Sequence, residues 1–286
     1  MPAARLGLRV FFSLILLGGI LMAFSPSLAE FLMFQPSRGD PGAPPVLQGV
    51  AGRAITLTTA DGINIQAWWY ELEGNSGGPA PMVLFFHGNA GDISHRTPIA
   101  EGLLREGLSV LLLEYRGYGG SGGKPSENGL HQDALAGWAF LLEKGGDPER
   151  IVIFGRSMGA AVAARLAADH APGGLVLESA FVSLKAIGQS VYPFLPGFLF
   201  SRLKGRFATR EWVERVEAPL LVIHGEEDDL VPLAMGREVL DAGSGPKEWL
   251  AVPGAGHNDV FWAGGPEYFR RIGDFAREGV GGGPEG

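Results

Sequence analysis

Hydrophobic and polar positions along this chain fall into distinct regimes. Across residues 10–29 no charged side chain interrupts an apolar run whose centre reads VFFSLILLGGILMAF, with hydrophobic residues on every helical face. Past Pro36, short apolar runs rich in Val, Leu and Ile alternate with longer segments of helical period. That alternation is the pattern of strand–helix units around a mostly parallel sheet. It predicts an opening hairpin over residues 54–59 and 63–69, turned at Asp61-Gly62, a dipeptide that favours positive backbone angles. Strands follow over 82–86, 109–114, 151–154, 175–177 and 220–223, with a sixth over 249–252. Helices are predicted over 96–106, 127–144, 158–170, 233–241 and 266–278. Residues 180–218 break the alternation, and their aromatics Phe181, Tyr192, Phe194, Phe198 and Phe200 with Pro193 and Pro196 predict a small lid over the sheet. One α/β domain over 30–278 accommodates all of these elements. The Gly-rich tail 279–286 is expected to be disordered.

The apolar run near the start is long enough to cross a bilayer as a helix, and Arg5 and Arg9 in front of it favour leaving that end in the cytoplasm. A single-pass anchor over residues 1–29, with the rest of the chain facing outward, is the preferred reading. The alternative is a signal peptide cleaved after Ser27-Leu28-Ala29, which would make the remainder secreted or periplasmic.

Composition narrows the chemistry. At 46% hydrophobic and 19% charged, the chain of 286 residues is globular, not mainly disordered. The net charge of -8 would repel a phosphate backbone, so nucleic acid is not an expected partner. With no cysteine, a thiolate nucleophile, a disulfide framework and a zinc–thiolate cluster are all excluded. None of the six histidines shows metal-ligand spacing.

The nucleophile-elbow pattern G-x-S-x-G occurs around Ser76, Ser121 and Ser157. The chemistry requires a serine on a sharp turn between a buried strand and a helix, and only Ser157 meets that condition, between IVIF and AAVAARLAADH. Ser76 lies in a polar turn and Ser121 in a glycine loop. A serine hydroxyl needs a base to take its proton. In such sheets the acid and histidine follow the serine on later loops. His257, in PGAGHND, is the histidine beyond residue 224. His87 and His224 end their own strands and read as structural, while His95, His131 and His170 read as ordinary helix or surface residues. The acid must follow the 220–223 strand, where Glu226, Glu227, Asp228 and Asp229 stand in succession. An oxyanion needs two backbone donors: the Met158 amide from the helix start, and the Asn89 amide, or else that of Ala90, from HGNAG.

RGYGGSGG also contains G-x-G-x-x-G through Gly117, Gly119 and Gly122, the pattern of a dinucleotide turn. Gly123-Lys124-Pro125 separates it from the next helix, and the following strand ends without the acidic residue a ribose would need, so nucleotide binding is not expected.

Together HGNAGDISHR, EYRGYGGSGG, GRSMGAAVA, LESAFVSL, HGEEDDLVP and GAGHND resemble the alpha/beta-hydrolase superfamily. Within it they look like the membrane-anchored serine hydrolases related to monoacylglycerol lipases and protein depalmitoylases. The resemblance, over about residues 30–278, implies an alpha/beta-hydrolase fold, a Ser157–His257–Asp228 triad with Asp228 in preference to Asp229, and an oxyanion donor from HGNAG. It also implies an amino-terminal anchor followed by an apolar-proline stretch such as FLMFQPSR. The expected activity is cofactor-free hydrolysis of a carboxylic ester or thioester in a small-molecule or lipid-like acyl substrate. A peptidase, an acyltransferase or a non-catalytic binding protein on the same fold are the alternatives.

Overall fold

The computed structural model describes residues 33–37, 39–74, 79–203 and 205–281. One sheet of eight strands forms its centre: β1 (Arg53–Thr58), β2 (Asn64–Tyr70), β3 (Met82–Phe86), β4 (Ser109–Leu113), β5 (Ile151–Arg156), β6 (Gly174–Glu178), β7 (Leu220–Gly225) and β8 (Lys247–Val252). Their order across the sheet is β1-β2-β4-β3-β5-β6-β7-β8. β2 runs antiparallel to both neighbours, and all other adjacent pairs are parallel. The β1–β2 hairpin closes as expected at Gly62, whose φ of 80° suits glycine. The Thr59 and Gly62 amides donate to the Ile63 and Thr59 carbonyls across that turn.

The helices are α1 (Thr97–Arg105), α2 (Glu127–Glu143), α3 (Met158–Asp169), α4 (Leu184–Val191), α5 (Thr209–Val213), α6 (Leu233–Ala242) and α7 (Val260–Gly281). Successive strand side chains point to opposite faces, so each central strand supplies two cores. Leu84 and Phe86 of β3 pack with Leu111 and Leu113 of β4 beneath α2 and α3, whereas Val83 and Phe85 meet Val110 and Leu112 on the face covered by α1 and α7. This double burial is why these strands read as unbroken apolar runs. Ser126 caps α2 by accepting from the Gly129 amide.

Two differences from the sequence expectation have local causes. The helix expected from 266 does begin after Gly265, whose φ of 56° and ψ of -145° are not helical, but a short helical stretch from Val260 precedes it and it continues as far as Gly281, held by Tyr268, Ile272 and Phe275 on the sheet. Its residues 279–281 were assigned to the tail; positions 282–286 lie outside the described residues. In the 180–218 segment the aromatics divide. Phe181 belongs to the main core, Phe200 joins Leu195 and Leu203 in a small separate cluster, and Phe194 and Phe198 are 58% and 71% exposed.

The expected anchor or signal segment, residues 1–29, also lies outside the described residues. Among those described, no helix is long and apolar enough to cross a membrane.

Because Leu111 is fully buried at the centre of the sheet, Leu111→Ala is expected to destabilise the fold by about 2–5 kcal/mol. Urea-induced unfolding measures this, with little change in the dependence on urea concentration.

Candidate active site

The turn from β5 into α3 is set by what its neighbours leave room for. A β-carbon at Gly155 would lie 2.2 Å from the Gly159 carbonyl oxygen, and one at Gly159 would lie 2.2 Å from that of Phe86. Both positions therefore require glycine. Between them Ser157 takes φ 54° and ψ -116°, a strained conformation for an L-residue. Its amide donates to the Glu178 carbonyl at 2.8 Å, tying the turn to β6. The residues expected to act together do meet here. His257 Nε2 lies 3.0 Å from Ser157 Oγ, and His257 Nδ1 lies 2.8 Å from Asp228 Oδ2. A carboxylate at Nδ1 requires the proton on that nitrogen, which leaves Nε2 as the acceptor facing the serine hydroxyl.

Asp228 is fixed by the turn it belongs to. Its Oδ1 accepts from the Leu230 and Val231 amides at 3.0 and 2.7 Å. Burial alone would raise its pKa, but hydrogen bonds from His224 and His257, the charge of His257 and the Val231 amide outweigh burial and hold the carboxyl well below the usual carboxylate range. The neighbouring Glu226, Glu227 and Asp229 are exposed. His224, buried, donates from Nε2 to the Val231 carbonyl at 2.9 Å, so it steadies the same turn.

The Asn89 and Met158 positions flank the serine. A β-carbon on Gly88 would come 3.6 Å from Ser157 Cβ, which places the 87–91 loop against the elbow. The second glycine-rich motif holds that loop in place. Tyr115 and Tyr118 hydroxyls donate to the His87 and Asn89 carbonyls, each at 2.9 Å, and Glu114 accepts from the Ile93 amide at 2.8 Å while its other oxygen faces His87 Nε2. Burial pushes both tyrosine hydroxyls above the ordinary phenol range, so they remain donors. Gly119 is required because a β-carbon there would fall 2.1 Å from Glu114 Oε2. In this chain the G-x-G-x-x-G run thus packs behind the loop. Ser121 is structural too: its hydroxyl accepts from the Gln66 amide at 2.9 Å. Ser76 lies outside the described residues.

Four supports were not legible as motifs. Gln35 in the apolar-proline stretch donates its amide to the Asn89 carbonyl at 3.1 Å, while Phe34 is buried against Phe207. Arg156, the residue before Ser157, pairs with buried Glu178 at 2.7 Å and donates to the His257 carbonyl at 2.8 Å. Tyr268 donates to the other Glu178 oxygen, which links α7 to the elbow. Arg96 donates to the Ala90 carbonyl. Among the remaining histidines, His131 lies 3.6 Å from Asp169, His170 stacks on Trp138, and His95 sits at the mouth of the site. Beside Ser157 opens a cavity of about 320 Å³, lined among others by Asn89, His95, Arg96, Leu230, His257 and Asn258. No residue of the 180–218 segment lines it. Among the described residues no cluster of side chains is arranged to hold a metal ion.

Comparison with known proteins places the chain in a family. The sequence profile of the family described as "Serine aminopeptidase, S33" matches residues 77–210. Uncharacterized protein Rv2307c of Mycobacterium tuberculosis is 44% identical over 243 residues, covering 84% of each chain. Lysophosphatidylserine lipase ABHD12 of Danio rerio is 33% identical, over 65% of this chain and 57% of its own. Among solved structures, the Pyrococcus furiosus esterase Pf2001 superposes with a TM-score of 0.67 at 27% identity, covering 85% of this chain and 99% of its own. The chain belongs to the alpha/beta-hydrolase family, and it is an ester-hydrolysing enzyme.

Arg156 contacts the backbone of His257, so its effect on rate passes through imidazole position. Arg156→Lys keeps the charge but cannot span Glu178 and the His257 carbonyl together. It is expected to lower kcat about tenfold, ~1.4 kcal/mol in the barrier, with KM changing far less, as read from steady-state ester hydrolysis.

Proposed function

We propose that this enzyme cleaves carboxylic ester or thioester bonds through an acyl-enzyme on Ser157, with His257 as the base and Asp228 as the residue that orients it. The observation that carries this reading is the chain of contacts from Ser157 Oγ to His257 at 3.0 Å and from His257 to a buried Asp228 at 2.8 Å. Nε2 takes the hydroxyl proton as Oγ bonds to the acyl carbon and the carbonyl electron pair moves onto oxygen. The Asn89 and Met158 amides are the donors for that oxyanion, and Met158 opens α3, where amides lack intrahelical acceptors. Collapse expels the alkoxide or thiolate, which receives the proton from the imidazolium. Water then gives a proton to Nε2 and attacks the acyl-serine, and Ser157 regains its proton as the carboxylic acid departs. Proton and charge balance close without a cofactor.

A lipid-like acyl substrate is supported by the exposed Phe194 and Phe198 on the 180–218 lid, by the 44% exposed Leu230 beside the cavity, and by a relative whose name is that of a lysophosphatidylserine lipase. The apolar run at 10–29 fits an anchor that keeps the catalytic domain at a membrane surface outside the cytoplasm; cleavage after Ala29 would release it instead. Esters are preferred to peptides here because the superposable Pyrococcus protein is an esterase.

Incubation with a fluorophosphonate probe is expected to label the protein covalently, and Ser157→Ala to abolish labelling. A folded, unlabelled wild type would leave a binding protein. A set of p-nitrophenyl esters of increasing chain length, run beside an amino-acid p-nitroanilide, separates esterase from peptidase. Asp228→Asn should lower kcat by about ten-thousand-fold by presenting His257 in the wrong tautomer. Since the Asp228 carboxyl is held low, its contribution is present above the ordinary carboxylate pKa and lost only as pH falls through the depressed one. Its protonation should therefore set no limb of the wild-type rate profile above about pH 4.

A further inference from the structure

The cavity beside Ser157 contains a cation that has no ion-pair partner among the described residues. Arg96 lines it, and a guanidinium carries five N–H donors. One contact goes to the Ala90 carbonyl, and Nε, shielded from solvent, has no acceptor among the described residues. The nearby carboxylates are committed elsewhere. Both Glu114 oxygens are engaged by His87 and the Ile93 amide, while Asp92 accepts from the Ser94 amide and hydroxyl and lies 3.5 Å from His95 Nδ1, which leaves His95 Nε2 as the ring nitrogen free to donate. Among the described residues no carboxylate comes within ion-pair reach of Arg96. By contrast Arg156, on the same cavity wall, is paired with Glu178. Burial and the adjacent Arg156 charge lower the Arg96 pKa, and outweigh the opposing charges of Glu114 and Asp92. His95, 61% exposed, adds a second donor at the rim, with Asn89 and Asn258 nearby. Gly91 makes room for this pair, since a β-carbon there would lie 2.9 Å from His95 Nδ1 and 3.2 Å from Arg96 Nη2.

We propose that Arg96, with His95 at the rim, is a subsite for an anionic group, a phosphate or a carboxylate, carried by the substrate close to its scissile ester. The inference deepens the hydrolase reading and rests on it. A planar, bidentate donor is suited to either oxyanion, and it lies in the same cavity as the nucleophile, so a substrate acylating Ser157 brings its nearby substituents over the 88–96 segment.

Butyrate esters of glycerol, glycerate and glycerol 3-phosphate share an acyl group and differ in charge. The full-length wild type is expected to show a higher kcat/KM for an anionic ester than for the glycerol ester, and the two anionic arms tell phosphate from carboxylate. In Arg96→Gln the ratio of anionic to neutral kcat/KM should fall ~10- to 100-fold, the range for losing a charge-assisted hydrogen bond, while Arg96→Lys keeps part of the preference. Any effect of Arg96 as a mere brace for Ala90 would lower all three esters alike and leave the ratio unchanged, which overturns the proposal. Wild-type preference for the neutral ester overturns it too. Calorimetric binding of the favoured anionic ester to Ser157→Ala, with and without Arg96→Gln, reads the subsite independently of turnover. Weaker binding in the double variant supports the subsite even if the triad reading fails, and equal binding refutes it.

Discussion

The strain at Ser157, with φ 54° and ψ -116°, is of a kind that costs about 1–3 kcal/mol and persists only because the surrounding backbone leaves no alternative. Gly155 and Gly159 bring α3 against β5 and against the end of β3 so closely that a methyl group at either would meet a carbonyl. The amide of Ser157 is bound to β6. In return the hydroxyl stands clear of the sheet, at the start of a helix whose first amides are unsatisfied and whose dipole favours negative charge at that point. The rest of the site is arranged around this one displaced oxygen.

Each partner arrives on a separate loop and is held by groups outside the Ser157, His257 and Asp228 set. Two amides and a buried histidine fix the Asp228 turn. The His257 loop is held from below by Arg156, itself fixed to Glu178 and so to Tyr268 on α7. Tyr115, Tyr118, Gln35 and Arg96 clamp the carbonyls of the 87–91 loop. A buried ion pair such as Arg156–Glu178 contributes little net stability but is costly to break. Its placement under the His257 loop fits a positioning role. Gln35 also makes the residues that follow the amino-terminal apolar run part of the active-site frame.

Much of this was readable from local pattern. Parallel strands buried on both faces produce unmistakable apolar runs, and a serine between such a strand and an alanine-rich helix singled out Ser157 from three matches to one motif. The choice of Asp228 over Asp229 rested on family resemblance, because adjacent carboxylates in a turn differ only in which one the turn directs inward. Arg96 and Arg156 were invisible for a different reason. Their significance lies in which carboxylates do or do not reach them, and those partners come from elements far away in sequence. The glycines of RGYGGSGG looked like a phosphate turn, yet their reason is the packing of Glu114 and two tyrosines behind a neighbouring loop. In the lid, composition alone did not distinguish Phe181 and Phe200, which fill cores, from Phe194 and Phe198, which face solvent.

Pre-steady-state hydrolysis of a slowly deacylating p-nitrophenyl ester, followed by acid quench and peptide mass mapping, tests the role of Ser157 most directly. The expected result is a burst of about one equivalent of p-nitrophenol per protein, with the acyl group found on the peptide containing Ser157 and the burst rate collapsing in His257→Ala. An acyl group carried on a different residue, or a Ser157 adduct formed at the same rate without His257, would contradict it.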